Sequence, residues 1–354
     1  MFSPGTHNVV RCEQDPSCHQ PHHPAINEAI ATIERELAEF GMLSAYDEDR
    51  GQGTLRYLQL SVERSSRTVQ ITLVVNAASL YSDSALLQFT DRLWTIYKSK
   101  PQKSSQHNER EGLQIHSIWI NLNPSRRNNI VSYDKDAWNF VSGHGEDVIR
   151  GGSLIEAFPS GASFVLPPFV FRQANLDDFD RIVAQVCDAV PSGSRVCEWY
   201  AGVGVLGLSL VPAAEWVRCS DINPPFEAFE ASRALLAESQ RSRITYAVGA
   251  AGDRISDAIG ANVAVVDPPR KGLDHELLNA LCDRRIQSPC SGLEKLVYIS
   301  CGFQALMRDA DALLTAGWGV QELFHLTTIA KERKTESHLE KDDSLQSIGD
   351  PEGI

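Results

Sequence analysis

The sequence predicts an α/β chain: a doubly wound parallel sheet in its second half, behind a smaller α+β unit. Three observations predict it. From residue 177 to about 324, strand-like apolar runs alternate with helical segments at the spacing of βαβ units. A glycine turn joins the first of those strands to the helix after it. Earlier in the chain, short runs alternate apolar and polar residues, as half-buried strands do.

The first element is a helix. Residues 25–42 carry apolar side chains three and four apart, the mark of an amphipathic helix. Leu55 to Val62 and Thr68 to Val75 alternate and are rich in β-branched and aromatic residues, with the turn ERSSR between them. Leu86 to Tyr97 reads as a second helix. Pro101 to Glu111 is polar and reads as a loop. Leu113 to Asn121 alternates again, and further short strands are expected to about residue 166. These strands read as antiparallel. A helix over 177–190 opens the second half. Strands are expected at 195–200, 216–221, 243–248, 262–267, 294–300 and 318–324, with helices between them. Lys331 to Ile354 is charged and poor in apolar residues, the composition of a frayed tail. The predicted division is an α+β domain over 1–165, a second domain over 166–330 and the tail over 331–354. No internal repeat is visible.

Bulk properties narrow the class. The chain has 354 residues, 42% hydrophobic and 22% charged, as globular proteins do. Its formal charge of -13 argues against holding nucleic acid by bulk electrostatics, but a local basic groove on an acidic body remains compatible with it. Eight cysteines are spread over the whole length, which suits free thiols in a reducing compartment better than a disulfide scaffold. Met1 to Val10 lacks the apolar core of a signal peptide. The longest apolar stretch, Val203 to Val217, is interrupted by Gly, Ser, Pro and Glu. A soluble monomer with no membrane span is expected, cytoplasmic or organellar.

Val196-Cys-Glu-Trp-Tyr-Ala-Gly202-Val-Gly204-Val-Leu-Gly207 runs from a strand through a glycine turn into a helix. Gly202 and Gly204 let the backbone turn sharply and approach a ligand, and the helix N-terminus favours a carboxylate or phosphate. The three glycines fit a loose GxGxxG, a weak signal that a plain tight turn also satisfies. Asp221 ends the next strand, where an acid can accept ribose hydroxyls or cap the following helix. A nicotinamide cofactor competes at this point, though no hydride-transfer constellation accompanies the turn.

The fourth strand of this half ends in Asp267-Pro-Pro-Arg270-Lys271-Gly272. It sets a carboxylate at the ligand edge, and two prolines fix the backbone beyond it. The alternative is a structural loop with a capping Asp. The arrangement resembles methyltransferases that act on nucleobases. Those that methylate the adenine amino group carry an aromatic at the fourth position. Arg270, with Lys271 beside it, favours a different base and a local phosphate contact. The fifth strand, Leu296-Val-Tyr-Ile-Ser-Cys301-Gly302, presents a cysteine at the same edge. Lone cysteines are usually inert core residues, but this one shares an edge with Asp267.

Together these residues resemble the uracil-5 RNA methyltransferase family of tRNA and ribosomal RNA enzymes. Four motifs match in order. Phe171-Arg-Gln173-Ala-Asn175 is similar to the family's Phe-x-Gln-x-Asn. Glu198-Trp-Tyr200-Ala-Gly202-Val-Gly204 is similar to its cofactor loop. Asp267-Pro-Pro-Arg270-Lys-Gly is similar to its base-site motif. Tyr298-Ile-Ser-Cys301-Gly is similar to its nucleophile motif, with Gly302-Phe303 where the family often has Asn-Pro. The matches span roughly residues 110–324. The resemblance implies a doubly wound, Rossmann-like methyltransferase sheet behind an N-terminal α+β domain facing RNA. It implies S-adenosyl-L-methionine as cofactor, lined by Gln173, Tyr200, Gly202, Asp221 and Asp267. It implies tRNA or rRNA as substrate and Cys301 as nucleophile. The chemistry needs such a group. Uracil C5 is a poor nucleophile until a thiolate adds at C6, and a general base must later remove the C5 proton.

The sequence departs from the family's pattern in three places. No segment resembles the family's N-terminal oligonucleotide-binding barrel, which some members lack. Cys12 and Cys18 keep the first spacing of the iron–sulfur ligands of some members, but Pro21 stands where the third would be, so no cluster and no metal is expected. The family's base lies in Phe-Pro-x-Thr-x-His-x-Glu. Here Thr335-Glu-Ser-His338-Leu-Glu340 echoes it with one extra residue, making Glu340 the candidate base. Glu336 is nearer the usual distance from Cys301, and a solvated charged tail accounts for both equally well. Two other readings stay open: an inactive relative that binds RNA or cofactor, and a methyltransferase for another base or a small molecule.

Overall fold

The structure is a computed structural model that describes residues 23–99, 114–125, 129–143, 152–158, 160–222, 225–283 and 285–324. The loop read at Pro101 to Glu111, the tail with Glu336 and Glu340, and Cys12 and Cys18 lie outside the described residues.

The first half opens on α1 (Pro24–Phe40). Proline at the first helical position suits the helix start, and the His23 ring accepts the Ala25 N–H at 3.2 Å. Gly41, in the left-handed conformation, ends the helix. Its buried face, Ala25, Ala29 and Ile33, packs on a sheet of four strands: β1 (Leu55–Val62), β2 (Val69–Val75), β3 (Ile115–Leu122) and β4 (Trp138–Gly143). They lie in that order, and α2 (Ser84–Ser99) connects β2 to β3. All seven residues of β2 are buried: strands flank it on both sides, the helices cover the face of Val69, Ile71, Leu73 and Val75, and Gln70 on the other face meets Gly152.

One expectation is corrected here. β1–β2 and β3–β4 are antiparallel, but β2 and β3 run parallel. The helical crossover through α2 returns the chain to the same end of the sheet before β3 begins, which a parallel pair requires.

A hairpin comes next, β5 (Leu154–Ala157) and β6 (Ser163–Leu166). Its Phe158 and Phe164 join the core of the second half, and the Val165 N–H donates to Ser232 Oγ at 2.9 Å. Arg64, in the turn after β1, donates to Glu156 of β5 at 2.9 Å and to Asp180 of the next helix at 2.6 Å. Arg172 donates to the Val62 carbonyl and to Glu156 at 2.6 and 2.7 Å. These bonds join the four-stranded sheet to the hairpin and to the first helix of the second half.

The second half begins with that helix, α3 (Leu176–Ala189), capped by the Asn175 side chain. Then come β7 (Arg195–Trp199), α4 (Val205–Leu210), β8 (Trp216–Asp221), α5 (Phe226–Arg233), α6 (Glu238–Arg241) and β9 (Ile244–Val248). A 3-10 stretch, Ala251–Ala258, replaces the helix expected before β10 (Val263–Val266). The rest is α7 (His275–Cys282), β11 (Lys295–Tyr298) and α8 (Phe303–Thr315). The five strands are all parallel, in the order β11–β10–β7–β8–β9. This is the doubly wound α/β sheet that the alternation predicts.

The strand expected at 318–324 is not formed. Trp318 anchors the start of the segment, its indole N–H bonding the Leu281 carbonyl at 2.9 Å. Val320, Leu323 and Phe324 are exposed, and residues 319–324 make no ladder with any described strand. Alternation alone does not make a strand without a neighbour to bond. No helix among the described residues is long and apolar enough to cross a membrane.

Candidate functional site

The chain leaves β7 for β8 on one side of the sheet and reaches β10 on the other, so the strand order reverses at β7. Ligands of open α/β sheets sit at the carboxyl ends of the strands at such a reversal. Tyr200, Gly202, Asp221, Asp267 and Cys301, all singled out in the sequence, lie at the ends of these strands or just beyond them. Trp199 pairs with Val266, and Val266 with Tyr298. Tyr200 and Asp267 are therefore the first residues beyond adjacent strand ends, and Cys301 comes three residues after Tyr298. Asp221 is the last residue of β8, on the other side of β7.

The turn after β7 is built for close approach. Gly202 has φ 55° and donates its N–H to Asp221 Oδ2 at 3.0 Å. A Cβ on Gly202 would meet no atom within 4 Å, so the space over the turn is open. Gly204, at φ 79°, is needed for packing: a Cβ would lie 2.8 Å from the Phe229 ring. Tyr246, which the sequence did not single out, donates its hydroxyl to the Gly202 carbonyl at 2.5 Å and fixes the turn from β9. Tyr200 is one of two non-glycine residues with positive φ among the described residues, at 61°. That conformation is strained for a bulky residue. The Tyr200 hydroxyl accepts the Asp274 N–H at 2.9 Å, which ties the turn to the loop after β10. Its backbone thus shapes the turn while its side chain props the neighbouring loop.

That loop begins with Asp267. The carboxyl group is partly buried and makes no hydrogen bond or ion pair with a described residue. Burial pushes its pKa up to about 6. Beyond the two prolines the backbone reaches Arg270, whose carbonyl would lie 2.5 Å from a Cβ on Gly302. Only a glycine after Cys301 lets the two loops meet backbone to backbone. Cys301 is exposed, and the Ser300 hydroxyl accepts the Gly302 N–H at 3.1 Å to shape its turn. Phe303, first residue of α8, stands 75% exposed beside it. Arg270 is exposed too, and Lys271 pairs loosely with Asp274 at 3.3 Å.

The charges divide by position. Asp221 and Asp267 make the strand edge acidic, with Glu198 buried beneath them, and Arg270 and Lys271 lie beyond it on the loop. Glu198 is fully buried, and burial pushes its carboxyl up to about 8, with Asp267 and Asp221 nearby adding to the shift. It is bonded to the Cys219 thiol at 3.0 Å.

Of the residues expected to line the cofactor, Tyr200, Gly202, Asp221 and Asp267 come together at this edge. Gln173 lies on the connection between β6 and α3, partly buried; no hydrogen bond among the described residues joins it to the turn. Glu340 is outside the described residues. The sequence pattern did not reveal Tyr246 or the Tyr298–Asp309 pair beneath the loop, bonded at 2.8 Å. Only the strand assignment of 243–248 hinted at the first. Among the described residues no three His, Cys, Asp or Glu side chains converge as metal ligands.

No family model matches the chain. Among known proteins, it is similar to an uncharacterized RNA methyltransferase of Protochlamydia amoebophila, 32% identical over 324 residues, which cover 91% of this chain and 76% of that protein. It is 25% identical over 329 residues to an uncharacterized RNA methyltransferase of Bacillus cereus, of whose length it spans 62%. Its fold is similar to that of Pyrococcus abyssi tRNA (uracil-54, C5)-methyltransferase, solved with S-adenosyl-L-homocysteine. The TM-score is 0.58 at 21% identity, over 81% of this chain and 60% of that one. With its methyltransferase fold and a relative matched over most of both chains, the protein belongs to the family of RNA methyltransferases.

Proposed function

We propose that the protein is an S-adenosyl-L-methionine-dependent RNA methyltransferase that forms 5-methyluridine in tRNA or rRNA through a covalent bond between Cys301 and uracil C6. One observation carries the reading: the exposed Cys301 and the Asp267-Pro-Pro-Arg270 loop follow adjacent parallel strands, and the two connections approach backbone to backbone at Arg270 and Gly302.

The strand edge suits the cofactor. The open turn at Gly202 admits a close ligand, and Asp221 at the end of β8 is placed for a ribose diol. Ile222 beside it is 61% exposed and offers an apolar edge to adenine. The unpartnered Asp267 is placed to face a cation, and above pH 6 it is largely ionised. Gln173 is assigned a cofactor contact on the resemblance of its motif. When bound, the cofactor supplies the methyl group.

The remaining steps belong to the chain. The Cys301 thiolate adds to uracil C6, and the C5=C6 electrons move onto the ring as an enolate, which makes C5 nucleophilic. After C5 is methylated, a base takes its proton and the C6–S bond breaks, restoring both the ring and the thiolate. Glu340 is assigned as that base, with Glu336 the alternative. Arg270 and Lys271 are placed to meet backbone phosphates. Residues 166–330 are assigned as the methyltransferase domain and residues 1–165 as the RNA-facing domain.

The test uses RNA in which 5-fluorouracil replaces uracil, because C5 then carries no proton to remove and the adduct persists. Protein, cofactor and this RNA should give a slower band in denaturing electrophoresis. The band should vanish with Cys301→Ala, while calorimetric cofactor binding stays within about twofold. An unchanged band in Cys301→Ala would exclude the covalent role. No band from the parent protein with cofactor bound would exclude uridine.

A further inference from the structure

Beneath the two loops of the site lies a carboxylate with no contact to solvent. Asp309, in the middle of α8, is fully buried. Its Oδ2 accepts the Leu273 N–H at 2.8 Å and the Tyr298 hydroxyl at 2.8 Å. Its Oδ1 accepts two bonds from Arg308, from Nε at 2.9 Å and Nη2 at 2.7 Å. Arg308 Nη2 also donates to the Lys271 carbonyl at 2.8 Å. Gly272 passes so close that a Cβ there would lie 2.4 Å from Asp309 Oδ2. One side chain thus holds the loop that starts at Asp267 and the strand that ends before Cys301.

These four bonds match the acceptor capacity of a carboxylate, and a buried carboxylate is costly without them. Burial and the Asp309 bond both push the Tyr298 hydroxyl pKa up, so it stays a donor throughout the working range. The Tyr200 hydroxyl holds the next residue of the same loop at Asp274.

We propose that Asp309 is a positioning residue that sets the separation of Cys301 and Asp267. This rests on the proposed role of those two residues in uridine methylation. Asp309 touches neither substrate nor cofactor. It acts by pinning Gly272–Leu273 and Tyr298 to one point, so that the thiol and the base-site loop stay in register.

Asp309→Asn tests it. An amide in this place must turn its NH2 toward either Arg308 or the pair Leu273 N–H and Tyr298 O–H. A donor then faces a donor in either orientation. Single-turnover adduct formation with 5-fluorouracil RNA should slow at least about 30-fold at saturating RNA, with RNA and cofactor affinities within about threefold. Hydrogen exchange supplies a readout free of activity. The Leu273 amide and the amides of residues 299–303 should exchange together, at least about tenfold faster, while β7 and β8 keep their protection. Tyr298→Phe removes a single bond and covers the case of misfolding; a roughly tenfold slower adduct at unchanged RNA affinity is expected. Unchanged exchange in these two segments would overturn the proposal, as would an adduct rate within threefold of the parent. If the parent forms no adduct, the uridine reading fails and the exchange result alone decides whether Asp309 is the tether.

Discussion

The two sheets of the molecule treat their polar side chains in opposite ways. In the four-stranded sheet most buried ones are bonded within the protein. Gln70 Nε2, Ser117 Oγ and Trp119 Nε1 all donate to the Gly152 carbonyl, at 2.7, 2.9 and 2.9 Å. Asn121 exchanges two bonds with Ser132, at 3.0 and 2.8 Å. Thr72 Oγ1 is an exception. In the five-stranded sheet, Asp267, Arg270 and Cys301 gather at one edge with no hydrogen bond or ion pair to a described residue. A bonded polar group holds a fold together, whereas an unbonded one at an open edge adds nothing to it, costs stability where it is partly buried as Asp267 is, and is available to a ligand. The first sheet is therefore organised for stability and the second for chemistry.

The largest effect expected from this contrast is at Asp267. On the proposed reading, in which Asp267 faces the cationic cofactor, Asp267→Asn removes that counter-charge and should lower kcat/KM on the order of 100-fold. Its thermal midpoint should be equal to or higher than the parent's, since a carboxylate whose pKa burial raises to about 6 is a cost to the fold at pH 7. In the parent, cofactor affinity should weaken as pH falls through about 6 and Asp267 takes up its proton. Calorimetry from pH 5 to 8 with thermal melts checks both. A variant that lost stability and activity together would erase the distinction between the two sheets.

Much of the second sheet was legible because its strands are apolar runs that end in unusual residues. Val263–Val266 runs into Asp-Pro-Pro, and Leu296–Ile299 into Ser-Cys-Gly, so each strand delivers an acid or a thiol to the edge where parallel sheets bind ligands. The pairing partners in the first half were not legible. Alternation in Ile115–Leu122 marks a strand, but only the crossover through α2 makes its pairing with β2 parallel. The strand read at 318–324 failed for the same reason, since a pattern within a segment does not supply the neighbour. Asp309 was invisible because an acid inside an amphipathic helix, here with Asp311 close by, reads as a solvated residue. Only packing turns it toward Tyr298 and Leu273. The left-handed Tyr200 was hidden because sequence marks such positions mainly through glycine.

A smaller effect, confined to stability, is expected in the first sheet. Gly152 supplies the carbonyl that receives three side chains, and a Cβ there would lie 2.5 Å from the Trp119 ring. Gly152→Ala should cost about 1–3 kcal/mol in urea unfolding through overpacking. Cofactor affinity and the adduct rate of the folded fraction should stay within about twofold of the parent. A change in either larger than that would mean that the first sheet reaches into the chemistry.

The last effect is one of pH dependence and sharpens the contrast inside the second sheet itself. Glu198 lies in β7, opposite Cys219 of β8, and unlike Asp267 it is bonded and sealed from solvent. Its pKa is raised from 4.5 to about 8, first by burial and then by the neighbouring Asp267 and Asp221. Between those two values the folded protein keeps a proton that the unfolded chain has released. The stability from this group is full below about pH 4.5 and is lost as pH rises toward 8, at up to about 1.4 kcal/mol per unit; above 8 it changes no further. Glu198→Gln keeps the shape, stays neutral and should remove close to one proton from the slope of unfolding free energy against pH between 5 and 8. Urea titrations of both proteins across that range measure the difference. An unchanged slope would mean that Glu198 is ionised in the fold. The acidic edge under the glycine turn would then carry another full negative charge, and a cation bound there would be held by Glu198 as well as by Asp221 and Asp267.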